Sequence, residues 1–273
     1  MDMLKVNNYI KSFKHLIQEN AVNSFTGELK VGVDLGTANI VISVLDKENN
    51  PIAAASTGAS VVRDGLVLDY VGAVEIVKKL KEDIEERLGK KLTYTAAAVP
   101  PGTIGGNRRI IANICESAYM EVVNIIDEPS AAASVLHIDE GAVVDVGGGT
   151  TGISILKDGK VIYTADEPTG GTHMSLVLAG YYKISFEEAE KLKRDNKREQ
   201  EVFPIIKPVV ERMASIVKNH ISGYEVNKIY LVGGACSFND FEKTFERELG
   251  IATLKPVDPL LVTPLGIAMN CCK

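Results

Sequence analysis

The sequence has little cysteine, and what it has is not arranged for chemistry. Cys115, Cys236, Cys271 and Cys272 form no CxxC pair and have no histidine cluster beside them to complete a zinc site, so reduced, inert thiols are expected. Cys271 and Cys272 lie next to the C-terminus without a lipidation pattern. Long apolar runs are missing too: nothing is long enough to cross a membrane, and the N-terminus lacks the unbroken apolar core of a signal peptide. A cytoplasmic location is the expectation. Positive charge is in deficit, with a formal net charge of -6. Gripping nucleic-acid phosphates needs a basic surface that displaces counterions, so a nucleic-acid partner is excluded. A phosphate ligand held by backbone N–H groups and a divalent metal is not, because neither needs a basic surface.

What is there suffices for one large domain or two modest lobes: 273 residues, 45% of them hydrophobic. Residues 1–27 read as an appendage, an amphipathic helix carrying Leu4, Tyr9, Ile10, Phe13, Leu16 and Ile17 at helical spacing, then a polar linker. From Leu29 the period shortens. Leu29–Asp34, Asn39–Leu45 and Pro51–Ser56 read as strands of a meander, followed by a helix with Val74, Val77, Leu80, Ile84 and Leu88 on its apolar face. Thr95–Val99 and Val122–Ile126 read as strands, Arg109–Tyr119 and Ser130–His137 as helices, which completes a first lobe over residues 28–139. The second lobe, 140–273, repeats the plan with strands at Ala142–Val146, Gly152–Leu156, Val161–Ala165 and Lys228–Val232 and a helix at Phe238–Leu249 capped by Ser237 or Asn239. A last helix near 263–270 is expected to return to the first lobe.

The duplication carries the chemistry. In Asp34-Leu-Gly-Thr-Ala-Asn-Ile40 and Asp145-Val-Gly-Gly-Gly-Thr-Thr151 an aspartate ends one strand, a glycine-rich turn follows, and a second strand returns. Such a turn aims several N–H groups at phosphate oxygens, so Gly36, Thr37, Ala38 and Asn39 face Gly147, Gly148, Gly149, Thr150 and Thr151 as candidate phosphate binders. Asp34 and Asp145 are candidates to hold Mg²⁺ through water, since Mg²⁺ keeps much of its hydration shell and takes few protein carboxylates. Ordinary hairpin turns are the alternative for either one alone; the matched pair favours phosphate. A third site, Gly233, Gly234 and Ala235 after an apolar strand, offers a flat face to a base. The helix from Ser185 offers Glu187, Glu190 and Lys191 to a ribose, against the reading that these three are a solvated face. Glu128 stands where a strand gives way to a helix, at the end of the sheet where ligands of open α/β sheets bind, placed to orient a water. Otherwise it only favours the helix N-terminus.

These segments resemble a known superfamily. Val31-Gly-Val-Asp-Leu-Gly-Thr37, Val143-Val-Asp-Val-Gly-Gly-Gly-Thr-Thr151 and Leu231-Val-Gly-Gly234 are similar to the two phosphate hairpins and the adenosine motif of the actin, DnaK and sugar-kinase ATPases, and Asp127–Ala133 and Thr263–Met269 fit its connecting helices. The resemblance implies a duplicated α/β fold of ribonuclease H-like lobes, with ATP and Mg²⁺ between them. Within it, Val61-Val-Arg-Asp-Gly65, Val99-Pro-Pro-Gly-Thr103, Thr169-Gly170-Gly171 and Ile184-Ser-Phe-Glu-Glu-Ala-Glu190 resemble the EutJ family of ethanolamine-utilisation accessory proteins, and the resemblance adds Gly170 and Gly171 to the candidate nucleotide contacts. That implies a chaperone-like switch with a protein client, ethanolamine ammonia-lyase or the shell of a bacterial microcompartment, and leaves homo-oligomer formation open. The N-terminal stripe of Leu4, Ile10, Phe13 and Ile17 is similar to segments that dock cargo on such shells; the commoner alternative is that it packs on its own domain or on a second copy. An MreB-like polymerising scaffold is the alternative, and a small-metabolite kinase a third. Gly152 stands where DnaK and MreB have an acidic residue, and the chaperones' catalytic lysine has no counterpart, so weak ATPase activity is the expectation at most.

Overall fold

Two runs of alternating strand and glycine turn dictate the architecture, because each aspartate-ended strand folds back on its successor. The computed structural model describes residues 2–63, 65–103 and 105–272; Asp64 of the 61–65 segment, with Met1 and Lys273, lies outside them. β1 (Lys30–Leu35) pairs antiparallel with β2 (Asn39–Leu45), setting Asp34 opposite Val41, and β2 pairs antiparallel with β3 (Pro51–Gly58). A short hairpin, β4 (Val62–Arg63) and β5 (Leu66–Val67), precedes the next helix in the chain. That helix is α2 (Tyr70–Leu88), with α1 (Met3–Gln18) ahead of the first sheet. β6 (Tyr94–Val99), α3 (Gly105–Ser117), β7 (Glu121–Asp127) and α4 (Glu128–Leu136) follow, and β6 runs parallel to both β1 and β7. The first sheet has the order β3-β2-β1-β6-β7.

The second sheet repeats this order. It is β10-β9-β8-β11-β12, from β8 (Gly141–Val146), β9 (Thr151–Lys157), β10 (Lys160–Glu167), β11 (Lys228–Val232) and β12 (Ala252–Leu254). The helices α5 (Gly171–Tyr182), α6 (Phe186–Lys193) and α7 (Glu199–Ile221) lie between β10 and β11, α8 (Phe241–Leu249) between β11 and β12, and α9 (Val262–Met269) closes the chain. Two sheets with the same five-strand order and direction make this the duplicated actin-like ATPase fold, built of ribonuclease H-like lobes.

Each sheet has its own apolar core, and a third joins them. At the join, α9 packs on α4 and β1. Small residues set the distance: a Cβ on Gly266 would overlap the Ala131 carbonyl, and one on Gly32 would overlap the Ala268 backbone. The hydroxyl of Ser43 in β2 donates to the Pro264 carbonyl at 2.6 Å and ties the start of α9 to the first sheet.

The N-terminal segment departs from the appendage expected of it. Asp2 caps α1, and Val6, Ile10, Phe13 and Leu16 are buried; the first three belong to the joining core, which also holds Leu45 and Ala54 of one sheet and Val143, Tyr230 and Val232 of the other. Polar bonds fasten it at both ends: Tyr9 Oη donates to Asn49 O at 2.6 Å, Lys14 Nζ to Asp258 Oδ1 at 2.6 Å, and Val257 N to Asn7 Oδ1 at 2.9 Å. Of the proposed shell-docking stripe, Ile10 and Phe13 are wholly enclosed and Ile17 packs on the same core, while Leu4 is exposed. The stripe finds its apolar partner inside its own chain. The linker is held as well, with Asn23 N donating to Ile52 O at 2.9 Å and Lys90 Nζ to Gly27 O at 2.6 Å.

A second departure is the start of α8, at Phe241 rather than Phe238. Asn239 is engaged by Glu199, whose carboxylate accepts from both its backbone and its amide nitrogen, and Ser237 Oγ turns back to Gly234 O at 2.8 Å. Neither is free to cap, and Asp240 enters the helix in the left-handed region with its carboxylate paired to Lys243 rather than to a backbone N–H.

Candidate functional site

The carboxyl ends of β1, β6, β8 and β11 converge on a cleft of about 750 Å³ between the lobes. Its floor is made by the two glycine turns, and they nearly touch. A Cβ on Gly148 would stand 3.2 Å from Thr37 Cβ, so the second turn must be bare there for the first to approach. Gly147 N donates to Thr150 O at 2.9 Å and closes its own turn; Gly171 N and Thr172 N donate to Gly147 O and Gly148 O at 3.0 and 2.8 Å and hold it from behind.

Gly36, Thr37, Ala38, Asn39, Gly147, Gly148, Gly149, Thr150 and Gly171 all line the cleft. Two expected members do not. Thr151 is enclosed, its hydroxyl donating to Thr169 O at 2.7 Å, and Gly170 sits beneath the turn, where a Cβ would lie 2.7 Å from Gly147 O and 2.8 Å from Gly148 O. Both shape the loop that bears the others. Along α6, Ala189 and Leu192 are the buried positions, and this phase turns Glu187 and Lys191 to solvent and Glu190 to the cleft. Lys193 and Arg194, one turn beyond Glu190, are the residues that sequence reading missed. The Lys193 ammonium donates to Gly171 O at 2.8 Å and is paired with the Glu190 carboxylate, which also takes the Ser175 hydroxyl and, at 3.2 Å, Arg194 Nε. Burial alone would raise the Glu190 carboxyl; the Lys193 charge and these hydrogen bonds bring it below the ordinary value. Burial draws the Lys193 ammonium down, with Glu190 opposing. The i,i+3 spacing of Glu190 and Lys193 was the available signal, once Ala189 and Leu192 had been assigned inward.

Gly233, Gly234 and Ala235 form one wall at the far end, with Phe186, Arg194 and Leu260 around them. Gly233 has φ 90° and its N–H donates to Pro259 O at 3.0 Å, and a Cβ on Gly234 would come within 3.0 Å of Leu260 Cδ1. The wall is flat because side chains have no room there.

Three carboxylates gather at the centre. Asp34 ends β1, Asp145 lies in β8, and Glu128 begins α4, which Asp127 caps by accepting from Ser130 N at 3.0 Å. Burial, and then the Asp145 charge, push the Asp34 carboxyl up to about 7. Burial lifts Asp145 to about 6, although the Thr263 hydroxyl, donating to its Oδ2 at 2.6 Å, works the other way. Glu128 is raised well above its ordinary value by burial and then by Asp145, Asp34, Asp166 and Asp127 in turn. Negative charge is thus concentrated where the cleft is deepest, and a cation there would relieve it. Gly152, opposite Asp145 in the β8–β9 register, has no room for an acidic side chain: its Cβ would lie 3.1 Å from both Pro101 and Pro129 of the first lobe.

Known proteins resemble the chain in sequence and fold. The protein of Escherichia coli strain K12 named ethanolamine utilization protein EutJ is 45% identical over 243 residues, covering 89% of this chain and 86% of its own. The chain belongs to the EutJ family of ethanolamine utilization proteins. The crystal structure of EutJ from Carboxydothermus hydrogenoformans superposes with a TM-score of 0.94 at 48% identity, over 98% of this chain and 99% of its own. Residues 115–263 of this EutJ-family chain also match the family model described as type IV pilus assembly protein PilM. MreB5 of Spiroplasma citri bound to ADP shares the fold, with a TM-score of 0.70 and 19% identity over 88% of this chain and 94% of its own.

Proposed function

We propose that this EutJ-family chain binds Mg·ATP in the interlobe cleft and serves ethanolamine utilisation as a nucleotide-dependent switch. Closure of the lobes would change the surface offered to a protein partner. The observation that carries this reading is the meeting of two glycine turns, Gly36–Asn39 and Gly147–Thr150, around the raised carboxylates Asp34 and Asp145. The relatives support it: EutJ proteins carry ethanolamine utilisation in their name, and an MreB5 of the same fold is bound to ADP.

The donor set fits magnesium. Among the described residues no three or more His, Cys, Asp or Glu are grouped to hold a metal, so a cation here depends on two facing carboxylates, water and the ligand's phosphates, which is magnesium's habit. When bound, it would supply charge neutralisation to the phosphates. Asp34 and Asp145 would hold it through water, the turn N–H groups would bind phosphate, Glu190 and Lys193 would take the ribose, and Gly233 to Ala235 would face the base. Glu128 would orient an attacking water. Hydrolysis by this set is slow in our reading, because Gly152 supplies no acid and its place is closed by Pro101 and Pro129. The partner we infer is a protein of the pathway, ethanolamine ammonia-lyase or a microcompartment shell protein.

Thermal melting tests the reading. Saturating Mg·ATP, at a hundred times its dissociation constant, adds about 2.7 kcal/mol, which in a chain of this length raises the melting temperature by roughly 5–10 °C. No shift with either ATP or ADP in magnesium buffer overturns it.

A further inference from the structure

We infer that Thr263 is a positioning residue that fixes the Asp145 carboxylate for the cation, and that it acts from the opposite lobe. The inference rests on the nucleotide reading above and adds a residue to it.

Thr263 is buried near the start of α9, where threonine usually turns its hydroxyl back to its own helix. Here the hydroxyl instead donates to Asp145 Oδ2 at 2.6 Å. A hydroxyl has one hydrogen to give, so this bond is its whole donor capacity. The far oxygen of the same carboxylate is confined too: a Cβ on Gly233 would overlap Asp145 Oδ1, so that oxygen rests against a bare glycine. Between the hydroxyl and the glycine, the terminal torsion of Asp145, ordinarily broad, is restricted.

The two sides belong to different halves of the molecule. Gly233 follows β11 and Asp145 lies in β8, both in the second sheet, while α9 packs on β1, β2, β6 and α4. Ser43 pins the neighbouring Pro264 carbonyl to the first sheet, so Thr263 is held against that sheet while its hydroxyl crosses to the second. A carboxylate fixed in advance loses less freedom when a cation arrives, and its affinity rises accordingly. The effect concerns the metal and leaves base and ribose contacts alone.

ATP binding by the full chain, titrated in magnesium and in EDTA, separates these contributions. Thr263→Val removes the hydroxyl and keeps the branched shape, and the ratio of magnesium to EDTA affinity should fall about tenfold, the scale of a hydrogen bond to a charged group. Affinity in EDTA should stay within about twofold, and Thr263→Ser should restore most of the ratio. In an Asp145→Asn background, Thr263→Val should change nothing further. Thr263→Ala gives the same comparison should the valine variant fold poorly. An unchanged ratio in the hydroxyl-free variants, or an equal loss with and without magnesium, overturns the positioning role while leaving the nucleotide reading in place. Wild-type protein that binds no ATP overturns both.

Discussion

Asp34 and Asp145 come from opposite lobes to the same cleft, and after burial it is the Asp145 charge that holds the Asp34 carboxyl up at about 7. Both carboxyls therefore keep protons in the folded state that the unfolded chain has released. Their contribution to stability is fully present below the unfolded value near 4 and is lost as pH rises through about 6 and 7. The ligand-free protein is expected to lose melting temperature from these groups between pH 5 and pH 8, and the gain from Mg·ATP to grow over the same interval. Melting curves at fixed ionic strength decide it; a ligand gain that shrinks with rising pH contradicts the assignment.

Neutralising either carboxylate removes its attraction for the cation. Asp34→Asn and Asp145→Asn should each abolish the magnesium-dependent part of the ATP-induced melting shift, and both ligand-free variants should be at least as stable as wild type above pH 7, having lost a buried charge. Persistence of the full shift in both would falsify the metal assignment.

Glu128 concerns chemistry rather than binding. Glu128→Ala is expected to retain ATP affinity and to lose roughly 10²-fold of any hydrolysis, as removal of a group that handles the attacking water does. Single-turnover phosphate release is the measurement. Weakened binding with an unchanged chemical step would assign Glu128 to the end of α4 alone.

On α6 the structure separates residues that looked equivalent. Lys193→Ala breaks the contacts to Glu190 and to the Gly171 carbonyl and should weaken ATP binding about tenfold, in the range of one charge-assisted hydrogen bond. Glu187→Ala and Lys191→Ala, both on the solvent side, should bind within about twofold of wild type. Isothermal titration of the three variants settles which face meets the nucleotide.

Phe13 reports on the N-terminal helix. It is wholly buried in the joining core, and Phe13→Ala should cost about 3–5 kcal/mol, lowering the melting temperature by on the order of 10 °C. Leu4→Ala, at an exposed site, should cost less than about 0.5 kcal/mol. Equal, small effects from both would mean that the helix is not docked in solution.

Much of this was legible in the order of residues. Asp34 and Asp145 with their glycines announced both hairpins, and period changes located most strands and the first lobe's helices to within a few residues, whereas the bounds of Gly171–Tyr182 and Glu199–Ile221 were not legible. The hairpin of Val62–Arg63 and Leu66–Val67 was not, because two residues per strand carry no period. The orientation of α6 was not either: several polar residues follow Ser185, and only the burial of Ala189 and Leu192 decides that Glu190 and Lys193 turn inward while Glu187 and Lys191 turn out. Amphipathicity showed that α1 needs an apolar partner, but the partner is assembled from β2 and β3 together with the segment before α9, and has no local signature. Thr263, one hydroxyl in an apolar helix, gave no signal at all; its meaning lies in the distant Asp145.

The docking of α1 also bears on the order in which the molecule can be finished. Lys14 meets Asp258 across 244 positions, and Asn7 meets Val257 across 250. Most of the face that α1 packs on is β3, close by in the chain, while these two bonds and the packing on residues 259–261 wait for the far segment, so that side of the helix is covered last. Loop closure over such a distance is slow, and exposed apolar surface invites association with other nascent chains. One helix thus joins contacts near and far in the chain, and its docking links β3 to the segment before α9.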